Sequence, residues 1–317
     1  EQGISIIGDM PIYAAHDSVD VWRDRTQFLL DEEGYPLVMA GFPPDGFSPD
    51  GQLWGNPIYN WDMHKETGFQ WWIRRLAAAG QWYDVIRVDH FRGFEAYWSV
   101  PYGSVNARGG KWNKGPDMAF IDAIKEGLPK LKMIAEDLGY LTQEVMDLRD
   151  GSGFPGMKVL EFAFDSRDTG SANDYLPHNY IENCVVYTGT HDNETMVGWL
   201  AGLDAEHKKL IRDYICDHHT PDARLYRVLL AQAMRSCADT CILPIQDLLG
   251  LDNSARMNQR IQNLLHRHLI GGRGHHFHAA CFRGRVVDNL GCHYGAVGNG
   301  NTLVIRGGEH GIGHIDL

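Results

Sequence analysis

Short apolar runs, each ending in polar groups, alternate along this chain with stretches whose apolar residues recur every three or four positions. The runs centre near Ile6, Ile86, Met133, Val159, Val185 and Ile242, and their content of β-branched residues marks them as strands. Between them the helical period predicts helices over Phe69 to Ala79, Met118 to Lys125, Glu206 to Cys216 and Arg224 to Cys237, with Gly80 suited to a C′ position. Alternating strands and helices point to an α/β fold with a parallel sheet or barrel. At 317 residues the chain has room for one (β/α)8 TIM barrel, which takes about 250 residues. The interval from Gly34 to Trp61 is rich in Gly, Pro and aromatic residues. It is too long for an ordinary connection, so it predicts a functional loop.

The polar ends of the runs carry the chemistry. Val85 to Val88 leads into Asp89-His90-Phe91-Arg92-Gly93, Lys132 to Ala135 into Glu136-Asp137, Val185 to Tyr187 into Thr188-Gly189-Thr190-His191-Asp192, and Ile4 to Ile7 into Gly8-Asp9. In a parallel barrel such ends gather at one mouth. Arg87 shares a strand face with Asp89, and its permanent charge would hold that carboxylate ionised. On these residues alone a structural ion pair at a strand end explains Arg87 and Asp89 equally well. Four strand-end acids facing one substrate instead suggest glycoside cleavage, with one acid as nucleophile and another as acid/base.

The net charge of −12 speaks against nucleic acid and anionic membranes as partners and suits a neutral sugar. No apolar run approaches the roughly 18 residues of a membrane span, and no signal-peptide pattern opens the chain. The six cysteines show neither metal-ligand spacing nor a disulfide framework. A reducing, cytoplasmic setting is the corresponding expectation, with no metal and no cofactor.

The quoted motifs, together with FPPDGFSPDGQLWGNPIYNWD from Phe42, PGMKVLEFAFD from Pro155, LPHNY from Leu176 and LPIQDLLGL with ARMN from Leu243, resemble the amylomaltases. These are the 4-α-glucanotransferases of glycoside hydrolase family 77, relatives of the α-amylases. The likeness runs in order from about residue 3 to Asn258 and corresponds to the C-terminal two-thirds of the family. It implies a (β/α)8 barrel acting on α-1,4-glucans and malto-oligosaccharides. It implies further that Asp89 is the nucleophile, Glu136 the general acid/base, and Asp192 the third acid that grips sugar hydroxyls. Arg87 would orient Asp89, His191 would bind sugar beside Asp192, and Asp9 would lie close to the same subsite. Asp165, at the end of FAFD, and Asn258, in ARMN, become substrate contacts by the same likeness. The alternatives are an α-amylase-type hydrolase and an inactive glucan-binding fragment.

Within the long loop, Phe47, Trp54 and Asn56 are candidate sugar contacts, since aromatic platforms and amides suit the faces and hydroxyls of a sugar. Phe42 and Tyr59 read better as a small core that pins the loop. Gly46 stands where the family often has an aromatic. Trp98 is a candidate at the site, whereas Trp71 and Trp72 read as packing and Asp137 as a structural hydrogen-bond partner. His16, His64 and His207 read as surface or satisfied core histidines.

The likeness predicts a barrel lacking its first two strands over residues 1–259, which would leave unpaired edges and a possible need for the missing N-terminal segment. Residues 260–317 resemble nothing in the family. They hold 8 of the 16 histidines and 12 of the 36 glycines, a composition that suggests an altered reading frame and a tail that packs poorly, the other reading being a divergent module with a few short strands. His275, His276 and His278 lack the Cys or acid partners of a metal site.

Overall fold

A computed structural model describes residues 3–45, 48–139, 141–164 and 170–257, and the backbone of Phe277–Phe282 and Thr302–Arg306. The chain divides into two compact units: Asp9–Pro155, and Gly156–Leu317 together with Glu1–Gly8.

In the Asp9–Pro155 unit, strand β1 (Ile4–Pro11) ends where the unit begins. Helix α1 (Val19–Arg23) follows, capped by the Ser18 hydroxyl. The interval from Gly34 to Trp61, which its composition predicts as a functional loop, contains two strands, β2 (Val38–Phe42) and β3 (Gln52–Pro57). Helix α2 (Trp61–Glu66) follows, capped by the Asn60 side chain, and then α3 (Gln70–Ala79). The next strands are β4 (Val85–Asp89), β5 (Ala96–Pro101) and β6 (Lys111–Lys114). Helix α4 (Met118–Gly127), strand β7 (Met133–Ala135) and helix α5 (Gln143–Ser152) complete the unit.

Strands β3, β2, β5 and β6 form an antiparallel sheet in that order. The loop reading missed it because Gly, Pro and polar residues dilute the alternation, while cross-strand pairing fixes these strands in three dimensions. Strand β4 pairs in parallel with β7, Val88 opposite Ala135, and β1 follows β4 in the strand order. Gly80 closes α3 with φ −66 and is therefore not the left-handed C′ residue expected. Its lack of a side chain matters through packing, since a Cβ would meet Leu131 Cδ1 at 3.3 Å.

The core of this unit is aromatic. Trp72, Tyr59, Phe91, Phe94 and Phe120 are almost fully buried, and Phe94 stacks on Phe120 with centroids 4.2 Å apart. Trp71 and Trp72 pack as expected, with Arg75 lying 4.9 Å over the Trp72 ring. Tyr59 belongs to the same core and donates its hydroxyl to the Ile12 carbonyl at 2.6 Å. His64 is buried and bonded through Nε2 to the Gln27 carbonyl at 3.1 Å. His16 bonds to the Gly34 carbonyl.

The second unit holds β8 (Gly156–Val159), β9 (Cys184–Tyr187), helices α6 (Met196–Gly202), α7 (Ala205–Ile215) and α8 (Asp222–Arg235), strand β10 (Thr240–Pro244) and the short helix α9 (Ile245–Leu248). Strands β8, β9 and β10 run parallel in register. Helices α6 to α8 bury Leu200, Ile211, Leu225 and Leu229 in a core with Val186 and Leu243. Asp204 caps α7 by accepting from the His207 amide at 2.9 Å, and its carboxylate also meets His207 Nδ1.

Beyond residue 259 the described backbone forms two strands. Strand β11 (Phe277–Phe282) pairs antiparallel with β1, and β12 (Thr302–Arg306) antiparallel with β10. A strand needs only five or six residues, too short to register as a period over a long window. Gly46, Phe47, Asp165, Asn258, His275 and His276 lie outside the described residues, as does the side chain of His278. Among the described residues no helix is long and apolar enough to cross a membrane.

Candidate active site

Strand β4 explains the first cluster. Alternation buries Ile86 and Val88 and turns Arg87 and Asp89 to the other face. Arg87 donates from Nη1 to Asp9 Oδ2 and from Nη2 to Asp89 Oδ1, both at 2.9 Å. The Arg87 and Asp9 side chains are buried, while that of Asp89 is 48% exposed. The guanidinium therefore anchors itself on Asp9 inside the protein and presents Asp89 outward. A planar fork suits this two-carboxylate grip, which a lysine could not reproduce.

Glu136 follows β7 directly. Because Val88 sits opposite Ala135 in the parallel register, the next residues, Asp89 and Glu136, leave neighbouring strand ends side by side. Glu136 Oε2 accepts from the His90 amide at 2.6 Å and Oε1 from the Leu138 amide at 2.9 Å. Burial first, and the Asp89 charge second, push its carboxyl from 4.5 up to about 8, against the opposing pull of Arg87 and the two amides. Glu136 is therefore protonated at neutral pH. Asp137, one residue on, is buried on an ion pair with Arg149 Nη1 at 2.8 Å, the structural role its alternate position implied.

Around this cluster lie aromatic side chains. Trp54 stands edge-on to the His90 ring at 4.8 Å and tilted against Tyr13 at 6.1 Å. Asn56 donates its amide to the Ala14 carbonyl at 3.0 Å, so part of its hydrogen-bonding capacity serves the fold. Trp98 spends its indole N–H on the Ala107 carbonyl at 2.9 Å and packs edge-on against Trp112 across β5 and β6. Phe42 touches His90 and Trp112 edge-on.

His191 and Asp192 belong to the second unit, on the loop after β9. His191 Nε2 lies 3.2 Å from Asp192 Oδ2, and the Asp192 side chain is 70% exposed. Thr190 and Asn193 tie the loop through a hydroxyl–amide-oxygen bond at 2.7 Å, and Arg256 donates to the Asp192 carbonyl at 3.2 Å. Beneath it, Asp247 is fully buried and accepts from the Thr188 hydroxyl at 2.6 Å and the Met196 amide at 2.7 Å. Glu161 is buried nearby, with Oε1 lacking a hydrogen-bond partner among the described residues. Burial, then the charges of Asp247 and Glu194, raise its carboxyl well above the ordinary value.

The structure thus brings Asp9, Arg87, Asp89 and Glu136 together in one unit and pairs His191 with Asp192 in the other. Sequence reading missed His90, Glu161 and Asp247. His90 could have been noticed from its place directly after Asp89. The other two sit among apolar residues, where only burial reveals them.

Comparison with known proteins bears on the family and the fold. The 4-alpha-glucanotransferase of Clostridium butyricum is 48% identical over 262 residues, covering 82% of this chain and 53% of the relative. That of Thermus thermophilus is 47% identical over 261 residues, covering 81% and 52%. The chain spans about half the length of the curated relatives it matches. The amylomaltase from Streptococcus agalactiae in complex with acarbose superposes with a TM-score of 0.76 at 44% identity, over 80% of this chain and 51% of that one, so this mixed α/β structure has the amylomaltase fold. The family profile described as 4-alpha-glucanotransferase matches residues 1–260, and the chain belongs to that family, glycoside hydrolase family 77.

Proposed function

We propose that this chain carries the catalytic apparatus of a 4-α-glucanotransferase, which moves segments of α-1,4-glucan between malto-oligosaccharides with retention at the anomeric carbon. An Asp89 oxygen attacks that carbon as the glycosidic bond breaks, and Glu136 gives its proton to the departing sugar oxygen. The 4-hydroxyl of a second glucan then attacks, Glu136 takes its proton, and the bond to Asp89 is released. Two carboxyls about 5 to 5.5 Å apart serve such a double displacement. Asp192 and His191 would hold sugar hydroxyls of the substrate, and Asp9 would support Asp89 through Arg87. Trp54, Asn56 and Trp98 would line the glucan path, and Phe47, Asp165 and Asn258 belong to the same proposal. The strand ends bearing Asp9, Asp89 and Glu136 would form part of a (β/α)8 barrel mouth.

The observation that carries this reading is the pair of acids at neighbouring ends of β4 and β7. Asp89 is clamped by Arg87, while Glu136 is held protonated at neutral pH. A carboxyl held protonated next to a carboxylate on an arginine suits the acid and the nucleophile roles respectively. Incubation with maltotriose and separation of the products tests it. A ladder of longer and shorter glucans supports transfer. Glucose and maltose alone would mean hydrolysis, and no product would leave a glucan-binding role.

A further inference from the structure

His90 has a backbone that most residues avoid. Its φ of 55 and ψ of 48 place it in the left-handed region, costly for a side chain with a Cβ. This twist directs its N–H onto Glu136 Oε2 at 2.6 Å. The turn is locked on both sides, since Phe91 N–H donates to the Glu136 carbonyl at 3.0 Å and Gly93 N–H to the His90 carbonyl at 2.9 Å. A Cβ at Gly93 would lie 2.7 Å from Ile12 Cδ1 and 3.3 Å from the His90 ring, so the ring closes down on a position that only glycine leaves open.

The ring itself is held by aromatic neighbours from elsewhere in the unit. Trp54 of β3 meets it edge-on at 4.8 Å and Phe42 of β2 edge-on at 6.0 Å, with Tyr13 tilted against it at 6.4 Å. Its Nε2 is shielded and has no partner among the described residues. Burial and the nearby Arg92 charge keep the imidazole neutral, with its pKa at about 3. It is therefore uncharged at any pH where Glu136 titrates. The charged groups that face Glu136 itself are Asp89 and Arg87.

We propose that His90 is a positioning residue that couples the β2–β3 aromatic strands to the general acid/base: packing of its ring by Trp54 and Phe42 holds the left-handed backbone that aims its N–H at Glu136. The inference rests on Glu136 being the acid of the proposed reaction, but the geometry it invokes exists without substrate. Any movement of the β2–β3 segment on glucan binding would reach the acid/base through one ring and one amide. The amide stabilises the ionised carboxylate, so weakening it raises the carboxyl pKa and leaves the acid's orientation loose.

The test follows the Glu136 carboxyl by carbon NMR and the His90 amide by proton–nitrogen NMR, in the full chain, for wild type, His90→Gly, His90→Ala and Trp54→Leu. Gly and Ala both remove the ring, but only Gly enters the left-handed region freely. The expected result is a wild-type residue-90 amide that titrates together with Glu136. That response should be largely kept in His90→Gly and at least halved in His90→Ala and Trp54→Leu, with the Glu136 midpoint moved upward in the latter two. An unmoved Glu136 midpoint in both His90→Ala and Trp54→Leu overturns the proposal, as does equal behaviour of the Gly and Ala variants. Kinetics separate this outcome from failure of the acid assignment. His90→Ala should lower kcat on maltotriose about tenfold yet leave glycosyl fluoride, which needs little protonation, within about twofold. If Glu136→Gln reacts equally poorly with both donors, the acid assignment fails, while the NMR result still decides the coupling.

Discussion

Replacing Glu136 by Gln should make the protein more stable at alkaline pH while removing its chemistry. In the fold the carboxyl is carried from 4.5 to about 8, so the native state holds this proton more tightly than the unfolded chain does. The resulting stability is fully present below the unfolded value and is lost as pH rises through about 8. At about 1.36 kcal/mol per tenfold change in proton affinity, the full loss is about 5 kcal/mol. The side chain is only partly buried, and solvent screening reduces the measurable effect to on the order of 2–3 kcal/mol. Glutamine carries no titrating proton and relieves the repulsion with Asp89. It also gives up one of the two amide bonds to residues 90 and 138, a pH-independent cost of about 1 kcal/mol. Urea unfolding of both proteins at about pH 5 and about pH 9 measures the difference. The variant should be equal to or slightly below wild type at the acid end and above it at the alkaline end. A difference that stays constant across this range would refute the account of Glu136 as a carboxyl held protonated by its surroundings. Wild-type transfer should likewise fall off above about pH 8, as the acid ionises.

Asp89→Asn should fold normally, since Arg87 keeps its bond to Asp9, yet lose essentially all turnover because an amide forms no glycosyl ester; a tenth of wild-type activity would end the nucleophile assignment. In the second unit, Glu161→Gln should leave stability unchanged near pH 4 and raise the thermal midpoint increasingly toward about pH 9. The native carboxyl there is raised by burial and by Asp247 and Glu194, so wild type loses stability as pH climbs. A midpoint lower than wild type at the alkaline end would mean that the Glu161 charge is satisfied in the fold.

The sequence by itself determined the local elements and which candidate groups stand at the strand ends. Helices α3, α4, α7 and α8 follow the three-to-four-residue spacing of their apolar residues to within a few positions. Strands β4, β7, β9 and β10 follow from β-branched and apolar runs. The order Arg87-Val88-Asp89 places the guanidinium and the carboxylate on one face, because alternation is a property of the strand itself. Tertiary structure decided what depends on residues distant in the chain. The antiparallel sheet through β2 and β3 exists because β5 supplies their cross-strand partner. The proton on Glu136 depends on the register that sets Asp89 beside it and on the burial around it. The left-handed turn at His90 meets segments distant in the chain, with Trp54 and Phe42 against its ring and Glu136 accepting from its amide. Periodicity is written into neighbouring residues, whereas desolvation, register and strain arise only when separate segments meet.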